Sequence, residues 1–528
     1  MTAASIPFSP ALANDRYKYK YLIAITVSLA SVLELLDTSI VNVAIPHMMG
    51  NLGATLDQIA WVSTGYIVAN VIVLPITGWL SAYFGRRSYF AGSIALFTLA
   101  SFMCGNAGSL GALVFWRIIQ GLGGGALLST SQAILYEEFP REEYGTAMAI
   151  FGVGVMVGPT LGPTVGGWIT DTYGWPWIFY INIPFGMLAL ALTLSFINDS
   201  LHQERADRID WLGLALLAIG VGSLQIMLER GERLDWWASG QIRLLAIASV
   251  VSIITFIWHE LRTEHPVVDL SILKSRQLAV GVLFGLVLGV CLYATVFVLP
   301  VYLQNIRNFT ANQTGLVILP GALASAFTMG FMGRLQGKFD GRLSIAAGIA
   351  IFALSMWKHA HFTTESGMHD FFWPLIFRGV GLGLIFVPLT NLALADLPMS
   401  RIPNGTGLFN LMRQLGGSVG IALSATLLQR FTAIHRADLA ANVTQYSEAT
   451  RERIAAITQT LIGRGELPAL AQTKAIGFVN GIVTRQAMML SFDQLFLLFG
   501  AAFVLSLPLL LLMHRSRGPA AAGAGGAH

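Results

Sequence analysis

Apolar runs long enough to cross a lipid bilayer recur from end to end of the 528-residue chain, each closed by a polar turn. A spanning helix needs about 20 mostly apolar residues, so each run predicts one. They fall near 21–45, 59–82, 88–105, 110–136, 145–170, 176–198, 210–229 and 241–259. The rest fall near 277–304, 313–335, 342–360, 370–395, 404–428 and 492–513, giving fourteen expected spans.

Lys and Arg alternate with these runs. With the N-terminal arm set inside, the inside loops hold seventeen basic residues and the short outside loops only Arg230, Arg233, Arg243, Arg307 and Lys358. The bias matches the preference of basic loops for the cytoplasm, so both ends are expected to be cytoplasmic. Residues 429–491 are an exception, a long outside segment with seven basic residues that reads as short amphipathic helices capping the outer face.

Composition adds the class. The chain is 55% hydrophobic and 11% charged, against about 25% charged in soluble domains, which makes it an all-α integral membrane protein. Cys104 and Cys291 are far apart and offer neither a disulfide framework nor metal-ligand spacing. The first apolar run is too long for a signal peptide, and 518–528 is low-complexity.

The chain also repeats. Gly78-Trp-Leu80 and Gly85-Arg-Arg87 have counterparts in Gly333-Arg-Leu335 and Asp340-Gly-Arg342, 255 residues later. Arg117 with its following glycines matches Arg378 at a spacing of 261. Two six-helix bundles separated by two extra helices account for both offsets, and such duplication is transporter architecture with a site between the halves. The expected domains are an arm at 1–20, a first bundle at 21–200 and two extra helices at 201–275. A second bundle at 276–514, carrying loop 429–491, and a disordered cytoplasmic tail at 515–528 complete the chain.

Charges inside spans are costly, about 2.5–3.5 kcal/mol each on insertion scales, and so call for a role. Glu34 and Asp37 share one face of the first span with Thr38, Val41 and Asn42. Arg117 lies within the fourth span, and Arg378 and Arg413 are the buried arginines expected of the second half. Either the carboxylates pair statically with an arginine, or one of them exchanges a proton as access switches sides. Asn42, Trp61, Tyr66, Asn70, Gln120, Tyr293, Gln304, Arg378 and Arg413 are candidates for a substrate cavity, with packing or interface anchoring the alternative for the aromatics.

Gly154, Gly158, Gly162 and Gly166 recur every fourth residue in the fifth span, with Pro159, Pro163 and Gly167 alongside. The result is a smooth ridge that serves either as a packing surface or as a bend in a gating helix. Gly416-Gly-Ser-Val-Gly420 and Gly121-Leu-Gly-Gly-Gly-Ala126 mimic soluble-enzyme motifs but lie in apolar helices, and no Walker A loop occurs.

These segments resemble the major facilitator superfamily, above all its fourteen-span drug:proton antiporters of the EmrB/QacA type, and most closely the EmrB-like multidrug efflux permeases. Leu36 to Pro46, Gly78 to Arg87, Leu113 to Gly125 and Gly154 to Gly167 match its motifs in order. The resemblance implies a transporter, not an enzyme, driven by the proton gradient and without a cofactor, metal or nucleic acid. Asp37, Glu34 and Arg117 would serve proton coupling, and Gly78, Gly85, Arg86 and Arg87 the cytoplasmic loop motif. Ala82 and Tyr83 depart from that motif, which puts its acid–base latch in question. The resemblance further implies an inner-membrane permease exporting small lipophilic drug-like compounds, with a periplasmic adaptor contacting 429–491 and an outer-membrane channel. A dedicated metabolite or siderophore exporter shares these motifs; an importer, sensor or membrane enzyme fits them less well.

Overall fold

The computed structural model describes residues 17–200, 209–335 and 339–514. The expected arm up to 16 and the tail 515–528 lie outside the described residues. Helices occupy all fourteen expected span positions. The first half contains α1 (Lys20–Leu52), α2 (Trp61–Phe84), α3 (Arg86–Gly105), α4 (Leu110–Glu138), α5 (Tyr144–Tyr173) and α6 (Asn182–Phe196). Next come α7 (Trp211–Arg230) and α8 (Gly240–Glu260). The second half contains α9 (Arg276–Asn305), α10 (Ala311–Leu335), α11 (Gly341–His359), α12 (Met368–Leu394), α13 (Ile402–Ala441), α14 (Glu448–Gly463) and α15 (Pro468–Val504).

Among the described residues twelve helices are long and apolar enough to span, or thirteen if the bent α5 is one span. In α11, Arg342, Lys358 and His359 sit at the two ends and lower its hydropathy, although 19 residues reach about 28 Å, close to a bilayer core. Polar residues fix several helix starts: Ser109, Asp210, Ser275 and Asp340 each accept a backbone N–H from the first turn.

The region 429–491 differs from the expectation of short capping helices. Instead α13 runs on for 40 residues and α15 for 37, about 60 and 55 Å, well beyond a core of about 30 Å. Only α14 is a separate short helix, and it packs on α15. No Gly or Pro interrupts Gln429 to Ala441, so nothing stops α13 where its apolar run ends.

Pairings in the first half recur in the second. In the first, α1 packs on α5, α2 on α4, and α3 on α4 and α6. In the second, α9 packs on α13, α10 on α12, and α11 on α12 and α15. The halves meet along α5 with α10 and along α2 and α4 with α13. Both described chain ends lie on one face: Lys20 pairs with Glu143 at 2.6 Å, and Gln277 at the start of α9 donates to the His514 carbonyl at 3.1 Å. We call this the N-terminal face and the opposite one the far face.

Candidate functional site

Asp37 and Arg117, two of the buried charges of the first half, anchor one network. The Asp37 side chain is fully buried and accepts from Arg117 at 2.5 Å, Gln120 at 3.0 Å and Asn182 at 2.9 Å. Arg117 also donates to the Val62 carbonyl at 3.0 Å and to Gln120 at 2.8 Å, and it lies 4.1 Å from the centre of the Tyr66 ring. Arg117 and Gln120 are one turn apart on α4, while Asp37 comes from α1 and Asn182 from α6, so a single carboxylate ties three helices. Burying an ion pair is costly unless its remaining hydrogen-bonding capacity is met, and these amides meet it.

Glu34 sits one turn away but outside that network. One of its carboxyl oxygens accepts from Asn70 at 2.8 Å, and the other has no hydrogen-bond partner. A positive charge of the other half, Arg413 on α13, acts on it electrostatically. Arg413 is fully buried; it donates to Asn410 at 3.1 Å, while its Nε and Nη1 have no partner. Asn410 in turn donates to Gln132 at 2.7 Å and Ser129 at 3.3 Å on α4, joining the halves.

A cavity lies between the halves, bordered on α1 by Leu35. Leu35, Met156, Pro159, Tyr293, Arg378 and Arg413 are among its lining residues. Two guanidinium groups thus face a mostly apolar space. Arg378 has no ion-pair partner among the described residues, unlike its counterpart Arg117.

The glycine ridge faces α1. A side-chain carbon on Gly154 would approach Val32 to 3.0 Å, and one on Gly158 would approach Leu35 to 2.9 Å. On Gly162 and Gly166 it would collide with Ser39 and Ile40. Ser39 donates to the Gly158 carbonyl at 3.4 Å. Close packing is therefore one use of the ridge, and it acts on the helix that carries Glu34 and Asp37. α5 itself is bent by 42° between Arg141–Pro159 and Leu161–Tyr173, so packing and bending coexist. Pro159 borders the cavity, whereas Pro163 and Gly167 lie beyond the bend, where a side chain on Gly167 would meet only Val43 at 3.8 Å.

The remaining expected site residues disperse. Tyr66, Asn70 and Gln120 serve the carboxylates, and only Tyr293, Arg378 and Arg413 line the cavity. Asn42 is exposed and accepts from Ser63 at 3.2 Å, Trp61 lies beneath Arg230, and Gln304 is exposed at the far end of α9. Asn182 and Asn410 are polar partners that sequence reasoning did not single out; an amide within an apolar run was the available signal.

At the loop motif, acids do meet the bases despite Ala82. Arg86 pairs with Glu137, reaches Glu138 at 3.5 Å and donates to the Asn198 carbonyl at 3.2 Å. The Arg87 amide donates to Asp199 at 3.0 Å. Gly85, at φ +84°, turns the chain there, and Gly78 packs against Asn404 of the other half.

The family model described as Major Facilitator Superfamily matches residues 27–421. The "Multidrug export protein EmrB" of Escherichia coli K12 is 36% identical over 510 residues, 96% of this chain and 98% of that protein. The "Fatty acid resistance protein FarB" of Neisseria gonorrhoeae is 35% identical over 508 residues, 96% of this chain and 97% of that one. Among solved structures, the human organic anion transporter MFSD10 aligns with a TM-score of 0.60 at 13% identity, covering 93% of this chain and 99% of that chain, a likeness of fold.

Proposed function

The chain belongs to the major facilitator superfamily and is a multi-pass membrane transporter, and from that premise we propose that it is a proton-coupled exporter of lipophilic compounds. The observation carrying this reading is the division of labour on α1. Asp37 is held in a closed ion pair, while Glu34 keeps an oxygen without a hydrogen-bond partner and lies under the electrostatic influence of the opposite half's Arg413, which lines the cavity. A proton on Glu34 cancels the attraction toward Arg413, and its loss restores it, so proton exchange changes how strongly α1 is drawn to α13. The ridge of α5, seated on the same stretch of α1, carries that change into the bent gating helix. Arg117 stays charged throughout and anchors the first half.

Export rather than uptake is supported by the Gly154 to Gly167 motif and by the multidrug export and fatty acid resistance relatives. The reading sets the chain in an inner membrane with both ends cytoplasmic, in keeping with the basic residues of the N-terminal face. It also assigns the projecting helices of 429–491 to a periplasmic adaptor that leads to an outer-membrane channel. Exposed Phe478 and Ile482 on α15 are apolar groups on a part of that helix not needed for spanning. A second reading, export of one dedicated anionic metabolite, is favoured by Arg378 and Arg413 in the cavity.

The test is efflux from proteoliposomes under an imposed pH gradient, together with the drug susceptibility of a hypersensitive strain given the chain with and without an adaptor. The reading expects efflux that collapses when the gradient is dissipated. Gradient-independent efflux would refute proton coupling, and efflux of a single acid alone would favour the dedicated exporter.

A further inference from the structure

At the far face the repeat sets α2 beside α13, and there α7 touches both. α5 and α10 touch directly at both ends, Gly145 against Gly333 near the N-terminal face and Thr164 against Gly315 near the far face. The first contact has its repeat-related mate in Gly78 against Asn404, between α2 and α13. The second should also have one. Shifted by the 255-residue repeat, Gly315 falls on Ala60, next to Trp61; shifted by 261, Thr164 falls on Ala425, next to Thr426.

Those two places are occupied by α7 and its turn. Arg230 lies over the Trp61 ring at 5.1 Å, and the Trp236 indole N–H donates to Thr426 at 2.9 Å. Between them Thr64 donates to Glu229 at 3.2 Å and Gln225 donates to Ser418 at 2.8 Å. The turn that presents Trp236 is strained: Asp235 and Trp236 have φ of +57° and +47°, a conformation uncommon outside glycine.

The two sides of α7 are held differently. Toward α2 the contact is packing as well as polar, because a side-chain carbon on Gly222 would meet Ile72 at 3.4 Å and Val68 at 3.6 Å. Toward α13 the named ties are two neutral hydrogen bonds, Gln225 to Ser418 and Trp236 to Thr426. Bonds of this kind contribute little net energy and can be exchanged for water or one another, whereas packed surfaces separate at greater cost.

We propose that α7 is a gate element: it rides with the first half, stands at the far-face seam between α2 and α13, and closes that seam through its two bonds to α13. Opening of the far face breaks those bonds while α7 stays on α2. Gln225 and Trp236 are positioning residues in this device.

The test uses the full chain with pairs of introduced cysteines and a reducible bifunctional thiol reagent; native Cys104 and Cys291 are buried. Linking Gln225→Cys to Ser418→Cys should abolish transport, and reduction should restore it. Linking Val68→Cys to Gly222→Cys should leave transport intact. Cross-linking yield gives a readout independent of transport: the α7–α13 yield should change between acidic and alkaline medium, and the α7–α2 yield should not. Undiminished transport with α7 tied to α13, or a yield that varies at α2 and not at α13, would overturn the proposal. Failure of the untreated chain to transport would count against the exporter reading instead, leaving the yields to decide the gate.

Discussion

The two halves share their helix pairings but not their buried charge. In the first, Arg117 is closed against Asp37, which two amides also hold; in the second, among the described residues, Arg378 has no acid and Arg413 hydrogen-bonds only an amide. α1 carries two carboxylates and its counterpart α9 carries none among its buried residues. A duplicated scaffold has thus been divided into a half that holds acids and a half that offers the cavity two cations without a close ion pair among the described residues. The packing framework can be copied because it depends on small residues and shape; the charges are free to diverge because each depends on a few side chains.

The comparison is broken most forcefully by removing one arginine from each half. Arg117→Leu strands Asp37 in a dry site and should cost about 3–5 kcal/mol, read as a fall in thermal unfolding temperature in detergent. Arg378→Leu strands nothing and should leave that temperature unchanged or raised. Equal losses in both variants would erase the distinction.

The ridges give the next effect. Gly158→Leu forces a side chain into Leu35 on the acid-bearing helix, an overpacking cost of about 1–3 kcal/mol, and should stop export in protein that still folds. Gly416 packs against Leu286 on acid-free α9, so Gly416→Ala should lower stability but leave the pH dependence of transport unchanged. A variant at Gly158 that folds and exports would reduce the ridge to inert packing.

A smaller effect is expected at the cavity. Arg378→Gln removes one charge-assisted contact and should weaken binding of acidic lipophiles about tenfold, with neutral ones little changed, as measured by fluorescence titration.

Much of this was legible in the sequence, for physical reasons. Apolar runs and Lys/Arg alternation report the bilayer directly, and the spacing of Gly78 and Arg117 to their counterparts exposes the duplication. Glu34, Asp37 and Arg117 stand out because charge inside a span is rare. Their partners were less visible: Asn182 is a single amide in an apolar stretch, and nothing in one sequence says that it turns toward Asp37. The extension of α13 was missed because hydropathy ends where the membrane does, while helix propensity continues. The place of α7 was hidden because Gln225 and Trp236 carry no signal of a neighbour nearly two hundred residues away.

The proposed function rests on proton exchange at Glu34. The most direct measurement is proton release from purified protein in weakly buffered detergent solution when an exported compound is added. The wild-type chain should release protons on binding, and folded Glu34→Gln should bind the compound without releasing any. Undiminished release from that variant would contradict the account and return the proton to Asp37.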